Sequence, residues 1–205
     1  MEQTNKIILK GTIIHMETSR KRIMYTLATN TGTNRSAPDV AVILKENIKK
    51  EDIQFVPGDR VKLIAHVQYT KQIDEENKKT FLKTLVVDQM GTAELSEQDE
   101  FNLDTIEPED VNKCMFVGKM VHKYDVPHQT GALKIITLSV RAGGFFNYID
   151  ISAFGEHAEM LDNVQEGEYI VVVGEVRTRT NPQSDKMQNI VCTNLKKISP
   201  EDIKN

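Results

Sequence analysis

The chain has 205 residues, with 26 Lys/Arg against 30 Asp/Glu for a net charge of −4, and is 39% hydrophobic and 27% charged. That length allows one large or two small domains, and the composition is that of an ordinary globular chain and not of a disordered one. No apolar run approaches the ~18 residues that a bilayer span needs. The first residues, Met1 to Lys6, lack the basic and apolar regions of a signal peptide, so a cytoplasmic protein with no membrane contact is expected.

Short runs rich in Val, Ile, Thr and aromatic residues, bounded by Gly, Pro, Asn or Asp, read as strands. In chain order they are Lys6–Met16, Lys21–Thr29, Asp39–Lys45, Arg60–Thr70 and Thr80–Met90, then Cys114–Lys123, Ala132–Arg141, Asn147–Phe154, Tyr169–Thr180 and Met187–Lys197. A helix-like stretch falls between the third and fourth strand of each set, over Glu46–Ile53 and Glu156–Val164. Between the two sets, residues 93–112 carry eight carboxylates, among them Glu94, Glu107 and Asp110, and no base. This segment reads either as a self-repelling linker or as an acidic strip that competes with nucleic acid or recruits a partner.

The two blocks repeat one another. Gly11-Thr12-Ile13-Ile14-His15 aligns with Gly118-Lys119-Met120-Val121-His122, and Thr26-Leu27-Ala28 with Thr137-Leu138-Ser139. Pro57-Gly58-Asp59-Arg60-Val61 aligns with Glu166-Gly167-Glu168-Tyr169-Ile170. A repeat this long means duplicated domains. Five strands with one helix between the third and fourth is the layout of an OB-fold, a small Greek-key barrel that binds oligonucleotides or oligosaccharides. The predicted architecture is all-β: an OB-fold over 1–92, an acidic linker over 93–112, a second OB-fold over 113–198 and a short tail over 199–205.

Alternation along Tyr148-Ile149-Asp150-Ile151-Ser152-Ala153-Phe154 puts Ile149, Ile151 and Ala153 on a core face. Tyr148 and Phe154 then share the other face with Asp150 and Ser152. Aromatics on the polar side of a strand can stack on bases, or they can merely cover the barrel rim. Asp150 on that face opposes a polyanion. Of Phe145 and Phe146, one ring is expected in the core and the other free to stack; parity places Phe146 with Tyr148. Arg177 and Arg179 share a face of the fourth strand, as phosphate contacts or as ordinary solubilising arginines. Arg141 and Lys119 are further candidates for phosphate contact.

In this order, Gly118, Thr130-Gly131, Thr137-Leu138-Ser139-Val140-Arg141, Phe154-Gly155-Glu156-His157-Ala158-Glu159, Gly167 and Gly174-Glu175-Val176-Arg177-Thr178-Arg179 resemble the bacterial and phage-type single-stranded-DNA-binding proteins. The resemblance covers nearly all of 113–198; over 6–90 it rests mostly on the internal repeat. It implies single strands wrapped on the barrel, with Phe154 matching a stacking phenylalanine and Tyr148 a stacking tryptophan. Arg177 and Arg179 match basic positions, and Phe145 lies nearest another stacking aromatic that would fall at Gly144. A fourth would fall at Asn181, which cannot stack equivalently, and the chain has no tryptophan. Family members commonly end in an acidic tail tipped with Phe that recruits replication and repair proteins. Residues 198–205 lack such a tip, which leaves that recruitment, and so any replication or recombination partner, to the linker or Phe101. The family's four-barrel assemblies imply a homodimer here.

Block 1 departs from the pattern, with Asp39 and Lys45 where Tyr148 and Phe154 stand. Its candidate contacts are Arg20, Lys21, Arg22, Arg35, Lys62, Tyr69, Lys71 and Phe81. An enzyme needs a nucleophile–base pair, paired carboxylates in a pocket, or a metal cluster. His15, His66, His122, His128 and His157 are scattered, and Cys114 and Cys192 lie on the first and last strands of block 2. No catalytic residue, metal or cofactor is therefore expected. The expected activity is sequence-independent binding of single-stranded DNA, with RNA binding or a protein-adaptor role as the alternatives.

Overall fold

The computed structural model describes residues 2–19, 21–29, 39–48, 53–73, 79–93, 110–128, 131–142, 145–180 and 186–203. Ten strands account for most of them: β1 (Thr4–Ser19), β2 (Arg22–Thr29), β3 (Asp39–Glu46), β4 (Arg60–Ile73), β5 (Lys79–Thr92), β6 (Val111–Asp125), β7 (Leu133–Ala142), β8 (Phe145–Phe154), β9 (Tyr169–Thr180) and β10 (Lys186–Ile198). The first five are hydrogen-bonded in the order β2-β3-β5-β4-β1 and closed by a β1–β2 pairing. The second five repeat it as β6-β7-β8-β10-β9, closed by β6–β9. In each set the third and fifth strands run parallel and the hairpins antiparallel. Each set is thus a closed five-stranded barrel with OB-fold connectivity, and closure removes the exposed edges that an open sheet would present.

Alternating apolar residues build each core. Leu9, Ile13, Ile23, Tyr25, Leu27, Ile43, Leu63 and Ala65 are buried in the first barrel, and Phe116, Met120, Ile136, Leu138, Ile149, Ile151, Ile170 and Val172 in the second. The sequence repeat is also a geometric one. Ile13 N–H donates to Asp59 O at 3.0 Å and Gly58 N–H to Ile13 O at 2.8 Å. In the second barrel Met120 N–H donates to Glu168 O at 2.9 Å and Gly167 N–H to Met120 O at 2.8 Å. Both turns are finished by a carboxylate that accepts a backbone N–H three residues back: Asp59 from Val56 at 2.8 Å and Glu168 from Gln165 at 2.9 Å. The first strand of each barrel shifts register at the same place, between Ile13 and His15 and between Met120 and His122. Such a bulge bends a strand around its barrel.

Gly11 and Gly118 are equivalent, and a Cβ on either would collide with the strand alongside. At Gly118 it would lie 2.7 Å from Ser139 O; at Gly11 it would strike the Ala28 carbonyl. Only glycine lets the backbones cross this closely.

Between β8 and β9 the chain forms α1 (Glu156–Met160) and a 3-10 turn over Leu161–Asn163, together spanning nearly the whole predicted helix. Ala158 and Leu161 are buried on the side of this segment that meets the barrel. Lys123 Nζ donates to the carbonyls of Leu161 and Val164 at 2.7 and 2.8 Å, adding a second donor to Leu161 O, which already accepts the Val164 N–H at 3.1 Å. In the first barrel β3 continues through Glu46, the chain turns at Asn47 with φ of 59°, and 49–52 lie outside the described residues.

By contacts the chain divides into two compact units that do not follow sequence order. One is Met1–Ile7, Val67–Thr84 and Lys113–Asn205; the other is Ile8–His66 and Leu85–Asn112. The distal halves of β4 and β5 therefore belong with the second barrel. Of the acidic segment, residues 94–109 lie outside the described residues, and β6 already begins at Val111.

Candidate nucleic-acid interface

The site is built on β8. Asn147, Ile149, Ile151 and Ala153 turn inward, whereas Phe146, Tyr148 and Phe154 remain 57%, 37% and 38% exposed. Phe145 is 77% exposed as well, so neither phenylalanine of the pair enters the core, contrary to the expectation for one of them. The reason is position: both precede Asn147, the first buried residue of the strand, and Phe145 pairs across the sheet with Ala142, the last residue of β7. Parity predicts a residue's face, but only within the length of strand that the barrel covers. Ser152 shares the outward parity yet is buried, accepting a hydrogen bond from Asn189 Nδ2 at 2.8 Å.

Cross-strand register extends this face. Arg141 stands opposite Phe146, Ser139 opposite Tyr148, and Thr137 opposite Asp150. Lys119, exposed on β6, continues the row from Tyr148 through Ser139. On the other side the Asn189–Ser152 bond puts Asn189 on the same face, and Asn189 pairs with Arg177 of β9. The guanidinium of Arg177 is ion-paired with Glu175, so the cation predicted at this position comes with its own counter-charge. Arg179 lies on β9 opposite Met187, with its side chain outside the described residues. Arg141 is exposed, and its backbone N–H donates to Gln3 Oε1 at 2.6 Å.

Three neighbours complete this face, and two of them, His128 and Lys83, were not among the sequence candidates. The His128 ring, in the loop after β6, meets Phe154 edge-on with centroids 5.6 Å apart. Asp150 accepts the Thr137 hydroxyl at 2.6 Å through Oδ1 and is ion-paired through Oδ2 with Lys83 of β5. Tyr69 of β4, a sequence candidate but without a partner then, packs edge-on against Tyr148 with centroids 5.4 Å apart and planes at 67°. Its backbone N–H donates to Asn147 Oδ1 at 3.1 Å. Desolvation pushes the Tyr69 phenol pKa up, and the charge of Asp150 adds to the effect. Lys83 has the strand parity of Phe81, the one signal that pointed to it.

The remaining first-barrel candidates are dispersed. Lys21 and Arg22 are exposed at the β1–β2 turn, where Arg22 pairs with Glu46 at 3.1 Å, and Lys62 is exposed on β4. Arg20 and Arg35 lie outside the described residues, as do the side chains of Lys71 and Phe81. The outward positions of β3 carry Val42, 40% exposed, and Leu44, so this strand presents aliphatic and not aromatic side chains. Asp39, aligned with Tyr148, is itself buried. Among the described residues no group of three or more His, Cys, Asp or Glu is placed to hold a metal ion, and no helix is long and apolar enough to cross a membrane.

Barrel connectivity and repeat together define an all-β tandem OB-fold. No family model matches the sequence, and no curated protein does. Among solved structures the chain is similar to the single-stranded DNA binding protein from Thermus aquaticus. The wild-type structure aligns at a TM-score of 0.70 and 14% identity, over 97% of this chain and 95% of that one. A deletion variant of the same protein aligns at 0.70 and 14%, over 98% of both chains. The fold is therefore the tandem OB-fold seen in that single-stranded DNA binding protein.

Proposed function

We propose that this chain is a non-enzymatic, largely sequence-independent single-stranded-DNA-binding protein acting in replication, recombination or repair. The observation that carries the reading is the cluster of four exposed aromatic rings, Phe145, Phe146, Tyr148 and Phe154, along one strand of the second barrel. Exposed rings in a row disfavour solubility unless something covers them, and bases do so at about 1–3 kcal/mol per stack. Arg141 and Lys119 stand in register with these rings and supply phosphate contacts without reading sequence. The name and tandem fold of the Thermus aquaticus protein support the same reading.

In this mechanism, bases of an unpaired strand stack on the β8 rings while the backbone runs past Arg141 and Lys119. Duplex DNA, with its bases already stacked inside, gains only the electrostatic part. The barrel over 113–198 is the principal binding surface, the 1–92 barrel serves binding or assembly, and two chains provide four barrels as a homodimer. The protein works in the cytoplasm of a bacterial host.

The test is fluorescence anisotropy of a labelled oligo-dT titrated with the protein at low and moderate salt, with duplex DNA and single-stranded RNA as competitors. The expected result is sub-micromolar binding that outcompetes duplex and falls about a hundredfold in Tyr148→Ala/Phe154→Ala. No binding from folded protein at low salt overturns the reading; tighter binding of RNA than of dT reassigns the substrate.

A further inference from the structure

We infer that the distal β4–β5 hairpin supplies Tyr69 as a working part of the strand-binding platform, and that Asp150 is the positioning residue that holds it there. This inference rests on reading the β8 face as a single-strand platform. A carboxylate in the middle of such a face is at first sight a defect, because it repels phosphates. Yet both oxygens of Asp150 are engaged: Oδ1 by the Thr137 hydroxyl at 2.6 Å and Oδ2 by the Lys83 ammonium. The ion pair removes the repulsion and ties β5 to β8.

Around this tie the hairpin makes two further attachments to the same few residues. Tyr69 N–H donates to the buried Asn147, and the Tyr69 ring meets Tyr148 edge-on. Lys83 Nζ also lies 6.0 Å from the centre of the Tyr69 ring, at the outer range of a cation–π contact. Backbone, ring and ammonium thus converge on residues 147–150. Two rings at 67° form a corner, so a strand stacked on Tyr148 can turn and lay its next base on Tyr69. Without the Lys83–Asp150 tie, only the Tyr69 contacts hold the hairpin, and the greater freedom it then has to give up on binding costs affinity.

Simple charge reasoning predicts the opposite outcome for one substitution, which makes the inference testable. Replacing Asp150 by Asn keeps the size and an acceptor for Thr137 while removing one negative charge from the face. Electrostatics alone requires tighter binding. The expected result with oligo-dT and the full chain is a loss of about fivefold or more, by the cost of one stacking position. Tyr69→Ala loses a similar factor, and the Asp150→Asn/Tyr69→Ala double variant loses no more than the larger single effect, as residues acting through one element require.

Wild-type or tighter binding by folded Asp150→Asn overturns the inference, as does a Tyr69→Ala variant that binds like wild type. Circular dichroism checks folding. Should Asp150→Asn not fold, Tyr69→Ala and Lys83→Gln carry the test, with the same non-additivity expected between them and additive losses overturning the inference. If the wild type itself ignores oligo-dT, the platform reading fails; if it binds and Asp150→Asn is unimpaired, only the role of the hairpin fails.

Discussion

Arg60 reaches Asp110 at 2.7 Å, joining the first residue of β4 to the residue just before β6, with the Asp110 side chain only 9% exposed. Ala93 N–H donates to Arg60 O at 3.1 Å, so the same residue also holds the end of the chain that leaves β5. Both ends of the acidic segment therefore attach to Arg60. Asp110 is one of eight carboxylates that composition alone treats alike, yet it is docked. Its replacement by Asn is expected to lower stability by about 1–3 kcal/mol, as for a partly buried charged hydrogen bond. Urea unfolding checks this, with Asp59→Asn, which loses only a turn contact, as the comparison.

A second electrostatic contact gives a pH signature. Lys134, nearly buried, bridges Asp125 at 2.5 Å and Asp162 at 2.9 Å, tying β7 to the end of β6 and to the 3-10 turn. The hydrogen bond from Lys134 holds the Asp162 carboxyl below its ordinary value. A carboxylate whose folded pKa is depressed contributes stability above its unfolded pKa of about 3.9, and the contribution is lost as pH falls through the folded value. Asp162→Asn should thus lower the Tm by a constant amount from pH 7 to about pH 5, and the two melting curves should converge below about pH 4. Lys134 has its pKa raised, first by the Asp125 hydrogen bond, so its own contribution stays constant throughout this range. Thermal melts of both proteins across the range decide the matter.

Gly118→Ala places a methyl 2.7 Å from both Ser139 O and the Val140 Cγ2 methyl. Overpacking against backbone costs about 1–3 kcal/mol, and the expected loss in urea unfolding is of that size. Gly11→Ala should cost at least as much, because its Cβ would press against the Ala28 carbonyl. A neutral result at both would mean that the strands can separate without loss.

Both cysteines should be inert in the folded protein. Burial pushes the Cys192 thiol up to about 11 and raises Cys114 further, with the nearby Glu175 adding to the latter. At pH 8 an aromatic disulfide reagent should find neither thiol in the native state and both in guanidinium. Oligo-dT should leave this pattern unchanged.

Much of the fold is legible from local pattern. All ten predicted strands overlap observed ones, and Tyr169–Thr180 matches end to end. Period-two alternation and turn residues act over a few positions, so they can be read one segment at a time. The same alternation placed Tyr148 and Phe154 outside and Ile149, Ile151 and Ala153 inside. The repeat of Gly11 at Gly118 and of Gly58 at Gly167 carried the duplication, since close approach and positive φ demand the same residue in both barrels.

The tertiary structure decided what depends on how distant segments meet. Alternation predicted one buried ring in Phe145-Phe146, whereas both extend past the part of β8 that the core covers. Composition counted Arg177 as a cation, but Glu175, on the same face, is paired with it. No local rule linked Lys83 to Asp150, Tyr69 to Tyr148, or His128 to Phe154. Sequence periodicity determines which way a side chain points; which partner it finds depends on barrel closure and on the path of the β4–β5 hairpin, and those are set by packing across the whole chain.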